Sequence, residues 1–204
     1  MIVDDKVFEF IYTIAMRDAT LQKAYELIGY KTSKGAKKPD DYKKEELLQN
    51  STAKDIIREY IDNIISGNNP DFYIVEKAVE DSFSVFIQGK TYLSPFTFGN
   101  CQKLINMTVK YFYIVTYSDS TIRSYFNNCH CPMDNVMIKT VKRELKNNKI
   151  PLKDFKITSE ELSKSWSRIV QGNTSQYDAF QEIVKYLAKQ KGVSPIEYDY
   201  LMWK

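Results

Sequence analysis

Apolar residues recur at every third or fourth position along most of this chain, which is the spacing of amphipathic helices. The first segment predicts a helix from Asp4 to about Ile28, with a buried face formed by Phe8, Ile11, Ala15 and Ala19. The same spacing, with glycine and proline as stops, predicts further helices at residues 51–65, 71–87, 97–118, 121–126, 134–146 and 174–191, and short ones beginning at 40 and 158. No alternation of apolar and polar residues is long enough for a sheet. We therefore expect an all-α protein.

Helix starts and connections carry more specific predictions. Ser51 or Thr52 is the expected cap of the helix at 51–65, and Thr158 with Glu161 predicts a capping box for a helix that holds Trp166. Residues 147–157 read as a linker with extended character. Residues 29–41 and 88–99 read as loops, and the final segment SPIEYDYLMWK reads as an aromatic tail.

The chain is long enough, at 204 residues, to bury a sizeable core as one domain or as two packed lobes. We expect a single compact helical unit over residues 1–204. Its two lobes would be residues 1–90 plus 158–204, and residues 91–157.

The composition is that of an ordinary globular protein, with 43% hydrophobic and 27% charged residues. No apolar run approaches the roughly 20 residues that a membrane helix needs, and the acidic start MIVDDKVFEF is unlike a signal peptide. Three cysteines, an odd number, fit reduced thiols better than a disulfide framework. We expect a cytoplasmic protein with no membrane partner.

Basic residues are unevenly spread, although the net charge is only +3. From Lys139 to Lys156 seven Lys or Arg residues face two carboxylates, and from Lys31 to Lys44 six lysines face two aspartates. Such clusters favour a polyanionic partner. A solvated helix face and a lysine-rich loop would account for them equally well.

Lys103 and Asp134 are the candidate chemical groups, and each lies near a predicted helix start. Asp134, in CPMDNVMIKTVKREL, suits a helix N-cap, a role that needs no chemistry. Lys103, in GNCQKLINMTVKYFY, is expected in the first turn of its helix. There the macrodipole and partial burial would lower its pKa and leave a nucleophilic amine. In the alternative interpretation its stem covers apolar neighbours and its ammonium reaches water.

Together the two segments resemble the catalytic core of the helix-hairpin-helix DNA glycosylases, nearest the branch of archaeal-type 8-oxoguanine DNA glycosylases. In that family a lysine opens the helix after the hairpin, and a P-x-D-x-x-V/I segment places an aspartate at the head of a basic helix. The resemblance spans about 50 residues, Ser94 to Leu145. The hairpin sequence L-P-G-(V/I)-G is absent except for Gly99. Asn135 and Val136 stand where Ser or Thr and His or Arg are usual.

The resemblance implies a DNA glycosylase with AP-lyase activity, which flips an oxidised or modified base out of double-stranded DNA and excises it. Lys103 would be the nucleophile and Asp134 the essential carboxylate. An enzyme of this type needs no cofactor. It would act as a monomer, associated with the nucleoid in a bacterium or archaeon.

Further residues are candidates for contacts with DNA, and each has a structural alternative in the core or on a helix face. The phosphate-binding candidates are Gly99, Lys139, Lys142, Arg143 and Lys146. The base-pocket candidates are Phe98, Gln102 and Trp166, with Gln22 and Asn106 as groups able to read a base edge.

The segment CHC at 129–131 does not predict a metal site, because adjacent side chains rarely converge on one ion and no second Cys/His pair exists. The single histidine also offers no Cys-His or Ser-His pair.

A second hypothesis stays open beside the enzyme, a non-catalytic helical module that binds DNA or protein. The basic helix and the aromatic tail would serve such a module too.

Overall fold

The computed structural model describes residues 3–20, 46–87 and 96–202. All regular structure in these ranges is helical, which confirms the all-α class. The α-helices there are α1 (Asp5–Thr20), α2 (Ser51–Ile65), α3 (Phe72–Ile87), α4 (Phe98–Val115), α5 (Ser120–Tyr125), α6 (Asn135–Asn147), α7 (Ser159–Leu162), α8 (Ser175–Gln190) and α9 (Pro195–Met202). Short 3-10 turns lie at Phe126–Asn128, Leu152–Phe155 and Trp166–Arg168.

Some predictions concern residues outside the described ranges. These are the last eight residues (21–28) of the predicted first helix, the lysine-rich loop and cluster, most of the short helix from residue 40, Gln22, and most of the loop at 88–99. Within the described ranges, no helix is long and apolar enough to cross a membrane.

Helix α4 is the centre of the fold. Nearly every residue from Phe98 to Tyr113 is buried, because α1, α3, α9 and the turn at Trp166–Arg168 all pack against it. A helix that is covered on all sides needs neighbours on every face. Helix α1 supplies one of them, and the face predicted for it is confirmed by the burial of Phe8, Ile11, Ala15 and Ala19.

The cap of α2 differs from the prediction. Asn50, and neither Ser51 nor Thr52, is the N-cap residue, and its side-chain oxygen accepts the Ala53 N–H at 3.2 Å. Asn50 is itself buried, and its amide also donates to the Ser82 hydroxyl of α3 at 3.4 Å. One side chain therefore caps α2 and joins it to α3.

The segment around Trp166 also departs from the prediction. The capping box of Thr158 and Glu161 is present, but α7 ends after one turn at Leu162 and Trp166 lies in a separate 3-10 turn. A continuous helix would have used the carbonyl groups of this segment internally. Instead the Ile169 carbonyl accepts the Gly99 N–H from α4.

Two other connections are more ordered than the sequence suggested. The linker at 147–157 contains the 3-10 turn Leu152–Phe155 in place of extended chain. The aromatic tail is largely the helix α9, in which Ile196, Tyr198 and Asp199 are buried against α8 and α4. The C-terminal segment therefore brings a carboxylate into the interior.

Candidate active site

The two candidate residues, Lys103 and Asp134, lie together. The Nζ atom of Lys103 is 3.8 Å from Oδ2 of Asp134, and both side chains line a pocket of about 180 Å³. The Lys103 side chain is only 10% exposed and that of Asp134 is 20% exposed. A cation and a carboxylate from separate helices thus share one small, mostly buried space.

Asp134 is the N-cap of α6, as its position predicts. Its Oδ1 atom accepts the backbone N–H groups of Val136 and Met137, both at 2.9 Å. These bonds fix the carboxylate and leave Oδ2 as the oxygen nearer Lys103. The capping role and a role toward Lys103 therefore use different oxygens of the same side chain.

Lys103 belongs to the second turn of α4, since that helix begins at Phe98, and not to the first turn as expected. The macrodipole field falls off within the first turn. The pKa of Lys103 is nevertheless lowered, first by burial and slightly by Lys110, while Asp134 and Asp18 oppose the change. Burial is thus the main cause of a shift that favours the uncharged amine.

The ring of Trp166 lies against the amine, with Lys103 Nζ 4.7 Å from the ring centroid. Trp166 is 1% exposed, so it is a core residue whose ring contacts the candidate nucleophile. Its backbone is held against the start of α4, where the Thr97 hydroxyl donates to the Ser167 carbonyl at 2.9 Å.

Gly99 permits this close approach. A Cβ atom at Gly99 would lie 1.9 Å from the Trp166 carbonyl oxygen, so any larger residue requires the backbone to move. The Gly99 N–H donates to the Ile169 carbonyl at 3.1 Å and is not available to a phosphate, contrary to the expected contact. The role of this glycine in the structure is to seat the Trp166 turn.

Gln102 is buried and fully engaged with backbone groups. Its Nε2 donates to the carbonyls of Gly99 at 3.0 Å and Met133 at 2.9 Å, and its Oε1 accepts the Met133 N–H at 3.1 Å. These bonds hold Met133, which precedes Asp134, against Gln102, which precedes Lys103. Gln102 therefore positions the pair and does not line the pocket as a base-reading group.

Two further candidates are core residues. Phe98 is 0% exposed and packs edge-on against Tyr177, with ring centroids 5.2 Å apart. Asn106 is 1% exposed and donates to the Tyr177 hydroxyl at 2.9 Å. Neither lines the pocket beside Lys103.

Several polar side chains that line the same pocket were not predicted from the sequence. They are Asp18 of α1, Lys110 and Tyr111 of α4, and Asp199 of α9. Lys110 follows Lys103 by two helical turns, so helical spacing could have found it. Asp18 and Asp199 come from distant segments that no local pattern connects to Lys103.

Lys110 and Asp199 form a second, more deeply buried ion pair. Their Nζ and Oδ2 atoms are 2.8 Å apart, and the side chains are 6% and 2% exposed. Burial raises the pKa of Asp199 to about 6, although the attraction of Lys110 opposes this change. The pocket thus has two lysines on one helix face, each with a carboxylate from another helix.

The predicted basic residues lie along α6. Lys139, Arg143 and Lys146 are exposed, while Lys142 is half-buried and donates to the Ser163 hydroxyl at 2.7 Å. Their spacing of three and four residues places them on one side of the helix that begins at Asp134. Arg143 also lies 3.6 Å from Glu144.

No three His, Cys, Asp or Glu side chains of the described residues come together as metal ligands.

Comparison with known proteins adds no assignment, because no protein-family model, no curated protein and no solved structure matches this chain.

Proposed function

We propose that this protein is a DNA glycosylase with AP-lyase activity, in which Lys103 is the nucleophile and Asp134 the supporting carboxylate. One observation carries the proposal. The Lys103 amine is largely buried in a pocket, its pKa is lowered by that burial, and it lies 3.8 Å from the carboxylate of Asp134. An amine attacks carbon only in its uncharged form, and burial favours that form.

In the proposed reaction the Lys103 amine attacks C1′ of the flipped nucleotide. The bond between C1′ and the base breaks, and its electron pair leaves with the base. The C1′–O4′ bond then breaks and O4′ takes up the proton that the amine loses, so the sugar ring opens and leaves a Schiff base between Lys103 and C1′. Loss of a proton from C2′ then breaks the C3′–O bond and nicks the strand by β-elimination.

Asp134 has two tasks in this scheme. Its Oδ2 atom accepts the proton that the Lys103 ammonium loses and passes it on to solvent, so the carboxylate is negatively charged again before the base leaves. Its negative charge stabilises the positive charge that develops on the sugar as the base leaves. Both tasks require a fixed, ionised carboxylate, and the two N-cap hydrogen bonds to Oδ1 hold it in place.

Double-stranded DNA is the proposed partner. The exposed cations of α6 follow directly after Asp134 along the helix, so phosphates bound there would lie close to the reactive pair. The base that is excised, an oxidised or otherwise modified one, would be selected by the shape of the pocket.

A non-catalytic helical module that binds DNA or protein is the second candidate, and one contact favours it. The Trp166 ring 4.7 Å from Nζ stabilises an ammonium, and Asp134 does the same. In that case Lys103 would be a structural cation. An arginine would then keep the ion pair and the ring contact.

Borohydride trapping tests the proposal. The full chain is incubated with duplexes that contain 8-oxoguanine, uracil or a natural abasic site, and the Schiff base is reduced to a stable amine. Lys103→Gln and Lys103→Arg are compared with Lys185→Gln, a control lysine on α8 that pairs with Glu182 at the surface.

We expect an adduct with wild type and with Lys185→Gln, and none with either Lys103 variant. Lys103→Arg should keep most of the stability and DNA affinity of wild type, because the arginine has similar length and the exposed cations of α6 are unchanged. An adduct that persists in Lys103→Arg would exclude Lys103 as the nucleophile. No adduct from wild type on any of these duplexes, despite DNA binding, would favour the non-catalytic module.

A further inference from the structure

A groove of about 600 Å³ lies beside the turn that seats Trp166 against Lys103. Ser165, Arg168 and Ile169 of this stretch line the groove, together with the first residues of α8. The pocket of Lys103 and Asp134 is a separate space with different lining residues.

The groove is positively charged. Lys156, Lys164 and Arg168 line it and face a single carboxylate, that of Glu161. The Glu161 carboxylate already accepts two hydrogen bonds, from the Thr158 N–H and hydroxyl, both at 2.8 Å. Three cationic side chains therefore line the groove against one carboxylate, and that carboxylate is already hydrogen-bonded to Thr158.

The start of α8 contributes further positive potential. Ser175 and Gln176, the first two residues of this helix, line the groove. The Thr174 side chain gives no capping hydrogen bond and donates instead to Asp178 at 2.9 Å. Backbone N–H groups at a helix start attract anions, but Asp178 in this first turn offsets part of that potential, so the three cationic side chains supply most of the positive charge.

The groove adjoins the basic face of α6. Lys142 of α6 donates to the Ser163 hydroxyl at 2.7 Å, and Ser163 precedes Lys164, which lines the groove. The basic face of α6 is therefore joined to the groove through Ser163, although α7 between them carries the carboxylates of Glu160 and Glu161. Trp166 lies between the groove residues Ser165 and Arg168 along the chain, and its buried ring contacts Lys103.

We infer that this groove binds the phosphate backbone of the DNA strand next to the nucleotide held at Lys103. The inference rests on the DNA-acting function proposed above, and it adds a second phosphate-binding surface to that of α6. Charge complementarity selects the occupant, because exposed cations along an open groove suit a chain of phosphates.

Fluorescence anisotropy with the full chain tests this inference. The probe is a labelled duplex that carries a tetrahydrofuran abasic analogue, which is bound but cannot form a Schiff base. Lys164→Gln/Arg168→Gln is compared with Lys189→Gln/Lys191→Gln, which removes the same charge from exposed positions at the other end of α8.

We expect the groove variant to bind roughly 10- to 100-fold more weakly than the control near 0.1 M salt. The slope of log affinity against log salt should become shallower by about two, one for each lost phosphate contact. Equal affinity and slope in the two double variants would overturn the inference.

Failure of the enzyme proposal would look different. If the wild type forms no borohydride adduct while the groove variant still loses affinity and slope, the groove assignment stands and the chemistry at Lys103 does not. If the wild type binds no duplex at all, both proposals are overturned.

Discussion

A buried carboxyl group on α3, Glu76, should make the stability of this protein depend on pH in an unusual direction. Glu76 is 0% exposed, and none of the described residues donates a hydrogen bond to either carboxylate oxygen. Burial is the main reason that its pKa is raised to about 8, and Glu80 adds to the effect while Lys77 opposes it. The folded protein therefore holds a proton on Glu76 at neutral pH.

The sign follows from proton binding in the two states. Below the ordinary value of 4.5 the carboxyl is protonated in both the folded and the unfolded chain, so its contribution is fully present. As the pH rises toward about 8, the unfolded chain releases this proton and the folded chain keeps it. The free energy of unfolding therefore falls between about pH 4.5 and about pH 8. Above about pH 8 the stabilising contribution of the Glu76 proton is lost completely.

The magnitude is large. Each unit of pKa difference corresponds to about 1.4 kcal/mol, so the contribution of Glu76 should fall by roughly 3 kcal/mol between about pH 5 and about pH 8. Glu76→Gln replaces the group with an amide of similar shape that stays neutral. The variant should therefore gain stability relative to wild type as the pH rises.

Urea unfolding followed by circular dichroism at several pH values measures this difference. Glu59→Gln, at an exposed position of α2, is the matched control and should track the wild type at every pH. Other titrating groups affect wild type and variant alike and cancel in the comparison. A stability difference between Glu76→Gln and wild type that is the same at pH 5 and pH 8 would refute a raised pKa at Glu76.

Three further predictions concern other parts of the fold. Gly99→Ala should cost about 2–3 kcal/mol or more in urea unfolding, because its Cβ would lie 1.9 Å from the Trp166 carbonyl oxygen; an unchanged stability would mean that the turn is not held against α4. The pKa of His130, the single histidine, is lowered to about 4 by burial; its ring NMR signals should therefore stay constant from about pH 8 to about pH 5.5, and a midpoint near 6.5 would contradict the burial. Asn50→Ala should lower the free energy of unfolding by about 1 kcal/mol because its capping hydrogen bond is lost, while Ser51→Ala should lower it little. A larger loss for Ser51→Ala than for Asn50→Ala would show that Ser51 is the N-cap residue.

Local patterns were sufficient for most of the helices. The buried face of α1 and the capping box of Thr158 and Glu161 depend on residues a few positions apart, so the sequence predicts them directly. The role of Asp134 as N-cap was predictable for the same reason. Errors arose where a distant segment competes for the same backbone groups, as at Trp166, whose turn is shaped by contact with Gly99.

The candidate site was predictable only in its two main residues. A lysine and an aspartate in the right order indicate a possible pair, but the sequence does not state their distance or their burial. Gln102 is an example of what the sequence leaves undecided. From the sequence its amide is a candidate for recognising a base, but in the structure the amide bonds to the backbone of Met133.

By itself the sequence determined the helical class, the caps at Asp134 and Thr158, and the choice of Lys103 and Asp134 as candidates. Only the tertiary structure decided that Lys110 and Asp199 join them and that the pKa of Lys103 is lowered. The physical reason is that helix formation depends on hydrogen bonds and side chains within a few residues. Burial and electrostatic energy depend instead on every group nearby in space, and here those groups come from opposite ends of the chain.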